Sequence, residues 1–241
     1  MDFMNVLSFA RLRPVFLVLS TIPLFFLYCI VSSNYQFIKP EYQDKRHFKA
    51  TVLALPLSNK LLSQEEQVKL LNNKDGDPLK ISQNELSYFN NYMGPLLAEK
   101  TTASILGIDP FFKVTNVSLA YQNLSPDNKT IFNMFTPTSG QVEYRNTVPD
   151  YVLFFEDLYF NKDYVEIGAS SSYGRGSSER YTIIASIEYL LWDNRNQNVA
   201  AYGKLSKKRS LFLPAEKENY LEILEFFALS IILKSPLVRR M

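Results

Sequence analysis

The sequence predicts an α/β (α+β) fold: a single domain with one mixed β-sheet and packed helices, after an N-terminal hydrophobic signal or anchor helix. Three observations predict it. The run Tyr151–Phe160, YVLFFEDLYF, is almost wholly apolar, as suits a central strand covered on both faces. Tyr181–Trp192, YTIIASIEYLLW, alternates instead, with Ile183, Ala185, Ile187, Tyr189 and Leu191 on one face and Thr182, Ser186 and Glu188 mostly on the other. Segments with helix-start signals fall before and between such strands, and a strongly apolar helix follows them, so helices and strands intermix along the chain.

The N-terminus comes first in order. Arg11 and Arg13 precede Pro14–Val31, PVFLVLSTIPLFFLYCIV, which carries no charge. Basic-then-apolar is the order of a signal sequence and also of a membrane anchor. The run falls slightly short of the roughly 20 residues of a comfortable transmembrane helix, and Pro23 kinks it without barring insertion. Three outcomes stay open. Small residues at Val31-Ser32-Ser33 suit signal peptidase and would release a chain starting at Asn34. Cys29 is a candidate lipidation site, although Phe26-Leu27-Tyr28 before it is a poor lipobox. The segment can also remain uncut as an anchor. A buried core helix is the competing bland reading. Residues 1–33 are thus the signal or anchor, 34–49 (polar, with Pro40) a tether, and 50–241 the domain.

Within the domain, Thr51–Leu57 reads as the first strand. Ser63 with Glu66 has capping-box spacing and opens a helix through Leu71, which Lys74–Pro78 breaks. Ser82 with Glu85 repeats the spacing and opens a helix through about Tyr92. Gly94-Pro95 interrupts it, and Pro95 starts another helix running to Leu106. A strand is expected over Phe111–Leu119, and a helix from Ser125-Pro126 to about Phe135. Pro149-Asp150 punctuates before Tyr151–Phe160, which Asn161–Ile167 extends or pairs. Ser170–Arg180, SSSYGRGSSER, reads as a flexible polar loop. Asp193–Asn198 is a turn cluster returning through a hairpin partner, Val199–Ser206. Glu218–Leu233 is a helix with Leu221, Leu224, Ala228 and Ile231 in one stripe, widened by Ile223, Phe226, Phe227 and Ile232. Its apolar part, about 14 residues, is too short to span a bilayer, so it packs on the sheet.

Composition bounds the chemistry. Without residues 1–33 the basic and acidic side chains nearly balance, which gives no basic face for nucleic acid. A single cysteine forbids an intrachain disulfide and a thiolate zinc site, and His47 is the only histidine. Glu156 and Asp157 are adjacent carboxylates on a strand, so they face opposite sides; the strand is expected to meet its solvated end there. The Gly174 loop lacks a Gly-Lys-Ser/Thr ending and precedes a strand, unlike a phosphate loop. Asp75-Gly76-Asp77 lacks calcium-loop spacing, and the Asn116, Asn123 and Asn128 triplets occur at chance frequency. No catalytic, cofactor or metal residues are assigned. Trp192, beside Asp193, is expected at the sheet's rim, and Trp192, Asp193, Tyr173 and Arg175 are the candidate partner contacts.

VLALPLSN (Val52–Asn59) resembles the first strand and turn of the CsgG, LpoB and TolB amino-terminal-domain group of bacterial envelope proteins. YLLWDNRNQNVAAYGK (Tyr189–Lys204) is similar to their late hairpin, with Asp193 opening the turn but without the common Thr-Gly. The resemblance covers roughly residues 48–235. It implies a non-enzymatic accessory protein of the cell envelope, with no catalytic residues to carry over. Its domain would lie on the periplasmic or extracellular side, tethered to the membrane and bound to other envelope proteins or to itself. The alternatives are an exported hydrolase with an unassigned carboxylate site and a small-molecule-binding module using the Gly174 loop.

Overall fold

Strands rich in apolar residues on both faces demand cover on both, and the fold supplies it. The computed structural model describes residues 34–57, 83–107, 117–124, 132–169, 176–211 and 214–240. The strands are β1 (Tyr35–Ile38), β2 (Thr51–Leu57), β3 (Ser104–Ile105), β4 (Ser118–Asn123), β5 (Asn133–Ser139), β6 (Tyr151–Ala169), β7 (Gly176–Asp193) and β8 (Asn198–Leu211). The helices are α1 (Pro40–Gln43), α2 (Gln83–Lys100) and α3 (Lys217–Leu233). Six strands form a mixed sheet in the order β1-β8-β7-β6-β2-β3, and β4 pairs with β5 in a separate two-stranded sheet. The domain is therefore α+β, with β2 parallel to β3 and β6 and the other neighbours antiparallel.

One face is covered by helices. Ile183, Ala185, Ile187, Tyr189 and Leu191, the predicted inward row, are all buried against Phe89, Met93 and Leu97 of α2 and Ile223, Leu224, Phe227 and Ile231 of α3. The opposite face carries Leu53, Leu55, Val152, Phe154, Leu190, Trp192 and Tyr202, buried beneath Phe132, Met134, Val142 and Tyr144. At about 25 cal/mol per Å² of apolar surface, each of these side chains stabilises the fold by roughly 1.5–3 kcal/mol.

β6 changes face part-way. Tyr151, Leu153 and Phe155 lie in the helix-covered core, but so do Leu158 and Phe160, so odd positions give way to even ones. A bulge between Glu156 and Tyr159 inserts the extra residue, and Asp157 takes a left-handed backbone with φ 48°. The strand does not end at these carboxylates, as expected, but continues to Ala169.

Several boundaries differ from the sequence reading. The expected tether contains β1, which pairs with β8 from Tyr35 opposite Lys204 to Ile38 opposite Ala201. It also contains α1, whose Tyr42 is buried; the domain thus begins near Asn34 rather than at residue 50. The helix after residue 82 is unbroken through Pro95. Phe89, Met93 and Leu97 are fully buried on one side while Pro95 is exposed, so packing of that stripe overrides the local cost of proline. The expected continuation to Leu106 is instead a turn and the short strand β3, which joins β2 and α2 in a parallel crossover. Asn133–Phe135 is strand rather than helix, because β5 pairs with β4. The predicted loop narrows, since Gly176–Arg180 lies in β7. The N-terminal segment with Cys29, the Ser63–Leu71 helix, most of the Phe111–Leu119 strand, and Tyr173, Gly174 and Arg175 fall outside the described residues.

Gly203 lets β1 reach the sheet. A Cβ there would collide with the Tyr35 carbonyl oxygen and lie 2.9 Å from the Gln36 Cα, both backbone atoms that cannot swing aside. Gly203→Ala is predicted to cost about 1–3 kcal/mol. It should also speed amide hydrogen exchange at Tyr35–Ile38 well beyond that at β7, as measured by exchange mass spectrometry.

Candidate functional site

Two polar constellations interrupt the apolar faces. The first closes one end of the sheet. Asp193 is buried at the end of β7, and its carboxylate accepts hydrogen bonds from the backbone N–H groups of Arg195 (3.1 Å) and Asn196 (2.9 Å), the Asn196 side chain (2.8 Å) and the Tyr42 hydroxyl (2.8 Å). A short polar side chain facing its own turn amides is a common way to open a tight reversal. Here the same carboxylate pins α1 through Tyr42, four residues after the end of β1.

Next to it, fully buried Asn194 joins the turn to a distant segment. Its side chain donates to the carbonyls of Val142 (2.9 Å) and Pro149 (3.1 Å) and accepts from the Val142 N–H (2.8 Å). The sequence reading missed this residue; its place in DNRNQN beside a buried strand end was the only available signal. Asp150 accepts from the Thr51 N–H (2.7 Å) and hydroxyl (2.8 Å) and pairs with Arg195 (2.6 Å), so it clamps the start of β2 to that of β6.

Electrostatics follow from these contacts. Burial pushes the Asp150 carboxyl up, but the Thr51 hydrogen bonds and the Arg195 charge outweigh it and hold it below the usual range. Burial, helped by Asp193, pushes the Tyr42 hydroxyl up, and burial with the nearby Asp193 and Asp150 charges does the same for Tyr151. Among the described residues the buried Tyr151 hydroxyl has no hydrogen-bond partner, and the His47 ring meets the Tyr151 ring edge-on at 5.5 Å. His47 is not a tether residue: its backbone N–H donates to the Pro236 carbonyl just after α3.

The second constellation crosses the other face. Glu156 of β6 lies opposite Glu188 of β7, which lies opposite Lys204 of β8. Both acids are buried; Glu156 accepts the Phe135 N–H at 3.0 Å, and Glu188 pairs with Lys204 at 3.0 Å. The row thus fastens β5 to the sheet and marks where the apolar cover ends. Asp157 is exposed.

Of the predicted contact residues, Trp192 and Asp193 are buried, 5% and 4% exposed. Trp192 belongs to the second core rather than to a rim, because β4 and β5 cover that face. Among the described residues, no group of three or more His, Cys, Asp or Glu side chains converges as a metal site. No described helix is long and apolar enough to cross a membrane.

No protein-family model and no curated protein sequence matches the chain. Among solved structures, it is similar to a neuraminyllactose-binding hemagglutinin homologue from Helicobacter pylori, at 10% identity and TM-score 0.33, over 77% of this chain and 86% of that one.

Two tests follow. Asp193→Ala strips a buried turn of four acceptor contacts and should cost about 3 kcal/mol in urea unfolding, against about 1 kcal/mol for Tyr42→Phe. Asp150, with its folded value depressed, contributes stability that is present above the unfolded carboxyl value of about 4 and is lost as pH falls below it. Asp150→Asn should therefore flatten the decline of stability with acid below about pH 4, read from unfolding curves across pH.

Proposed function

We propose that this chain is a non-enzymatic envelope protein, tethered to a membrane by its N-terminus, whose α+β domain binds partner proteins to support or assemble a membrane-associated machine. The observation that carries the proposal is the uncharged run Pro14–Val31 behind Arg11 and Arg13. Lipid is the solvent such a run prefers, and the flanking arginines keep its start on the cytoplasmic side. The domain would then face the periplasm or the exterior. The resemblance to the CsgG, LpoB and TolB amino-terminal group points the same way.

The domain's buried and half-buried acids support an interaction role over a catalytic one. Asp150, Asp193, Glu156 and Glu188 are each held by structural donors, and Glu85 by Lys162 at 2.8 Å. For partner contact the proposal selects Tyr173 and Arg175, between β6 and β7. These strands stay paired with each other past Tyr181, where pairing of β7 with β8 stops, so they reach beyond the rest of the sheet.

The hydrolase alternative has one specific observation in its favour: Glu156 and Glu188 are cross-strand neighbours. Two adjacent acids can share a proton, but a catalytic pair must also reach substrate. If they act, Glu188→Gln abolishes turnover of the substrate while leaving the domain folded.

Fractionation of cells expressing the full chain tests the tethering. The wild type is expected with membranes; retention of Cys29→Ala there identifies an uncut anchor, and its loss identifies lipidation. A wild type found free in the cytosol overturns the proposal. In vivo cross-linking tests the partner surface: Tyr173→Ala with Arg175→Ala should weaken cross-linked adducts at least several-fold without changing the membrane fraction. Unaltered adducts would move the contact elsewhere.

A further inference from the structure

Three segments meet at the end of the sheet that the Asp193 turn closes: residues 44–49 before β2, residues 100–102 at the end of α2, and residues 235–240 after α3. The last lies between the other two. His47 bridges Leu237 in parallel, and Thr101 bridges Arg239 in antiparallel fashion. The backbone N–H groups of His47, Thr102 and Arg240 donate to the carbonyls of Pro236, Val238 and Lys100, each at 2.9 Å.

This pairing sorts the side chains by face. Residues paired across a bridge share a side, and their chain neighbours take the other. Leu237 is buried and His47 meets the Tyr151 ring, so that side belongs to the core. Phe48, which is 68% exposed, and half-buried Val238 come next on the outer side. Arg46 and Arg240, both exposed, share the outer parity on either flank. An apolar pair in contact with water is thus bracketed by two guanidinium groups. Arg46 donates to the Gln43 and Lys45 carbonyls, and among the described residues neither arginine forms an ion pair.

The surroundings do not supply the missing negative charge. Lys49, Lys234 and Arg239 are exposed in the same segments, and Lys45 lies over the Tyr42 ring. Among the acids, Asp44 is exposed, Asp150 holds Thr51 and Arg195, and Glu99 and Glu225 hold Lys100. Residues 44–49 and 233–240 therefore carry six cations and one acid. Like charge crowded in this way repels itself and attracts an anionic partner.

We infer that Arg46, Phe48, Val238 and Arg240 form a docking surface for an acidic segment of another protein, one that carries an apolar side chain between carboxylates. Guanidinium forks match carboxylates, and the aromatic ring seats the apolar residue, a combination common at protein interfaces. A nucleic acid calls for a longer basic track, in a domain whose charges nearly balance. The surface is separate from Tyr173 and Arg175, and the inference needs neither that contact nor the N-terminal tether.

Fluorescence anisotropy tests it with the full-length chain in a non-ionic detergent. The probe is a fluorescein-labelled peptide of glutamates with a leucine pair at its centre. Saturable binding that weakens with salt is expected. Arg46→Ser with Arg240→Ser should weaken it about fivefold, and Arg240→Glu alone by a similar factor. Lys207→Ser with Lys208→Ser removes the same charge elsewhere and should leave binding unchanged. Phe48→Ser should abolish the preference for this peptide over an all-glutamate one. Absence of binding, or equal losses from the two double variants, overturns the inference. Displacement of the peptide by lower concentrations of oligothymidine or dihexanoylphosphatidylglycerol than of unlabelled peptide also overturns it, in favour of a nucleic acid or a lipid.

Discussion

Burial of both faces of the β6–β7–β8 block is the constraint on which the rest of the structure depends. The three strands carry apolar side chains above and below the sheet, and neither set can be left in water at about 25 cal/mol per Å². Helices α2 and α3 cover one face, and β4 with β5 covers the other. Strand β1 then extends the sheet beside β8 and contributes Tyr35 and Phe37 to the edge of the second core. The N-terminal part of the domain is thereby sheet rather than linker.

Polar groups occur where this double burial has to stop. Asp150, Asp193 and Asn194 close one end by saturating the backbone groups that the strands leave open there. Glu156, Glu188 and Lys204 mark the limit of the second core, just where the bulge at Asp157 reverses the inward face of β6. Such devices need no substrate to explain them. They tie the strands to the segments that cover the sheet.

Much of the architecture was legible in the sequence, because period and burial agree there. The alternation in Tyr181–Trp192 placed five side chains on the face they occupy, and the apolar density of Tyr151–Phe160 marked a strand covered twice. The turn at Asp193 and the helix ending at Leu233 were equally plain. Misreadings arose where local signals opposed tertiary ones. YQFI is too short and polar a strand to stand out, yet pairing with β8 holds it. Gly94-Pro95 reads as a break, yet the buried stripe on α2 carries the helix through it. Trp192 and Asp193 resembled an exposed rim because nothing in their neighbourhood reveals β5 or Tyr42, both remote in sequence. The Glu156–Glu188–Lys204 row depends on register, which a single strand's pattern does not encode.

The most direct measurement is the unfolding free energy of two truncations on opposite faces of β7, Ile187→Ala and Leu190→Ala, both fully buried sites. If the sheet is buried on both sides, each variant loses about 2–5 kcal/mol in a single cooperative transition. A Leu190→Ala variant as stable as the wild type would mean that the second face is open to water, contradicting the two-sided core.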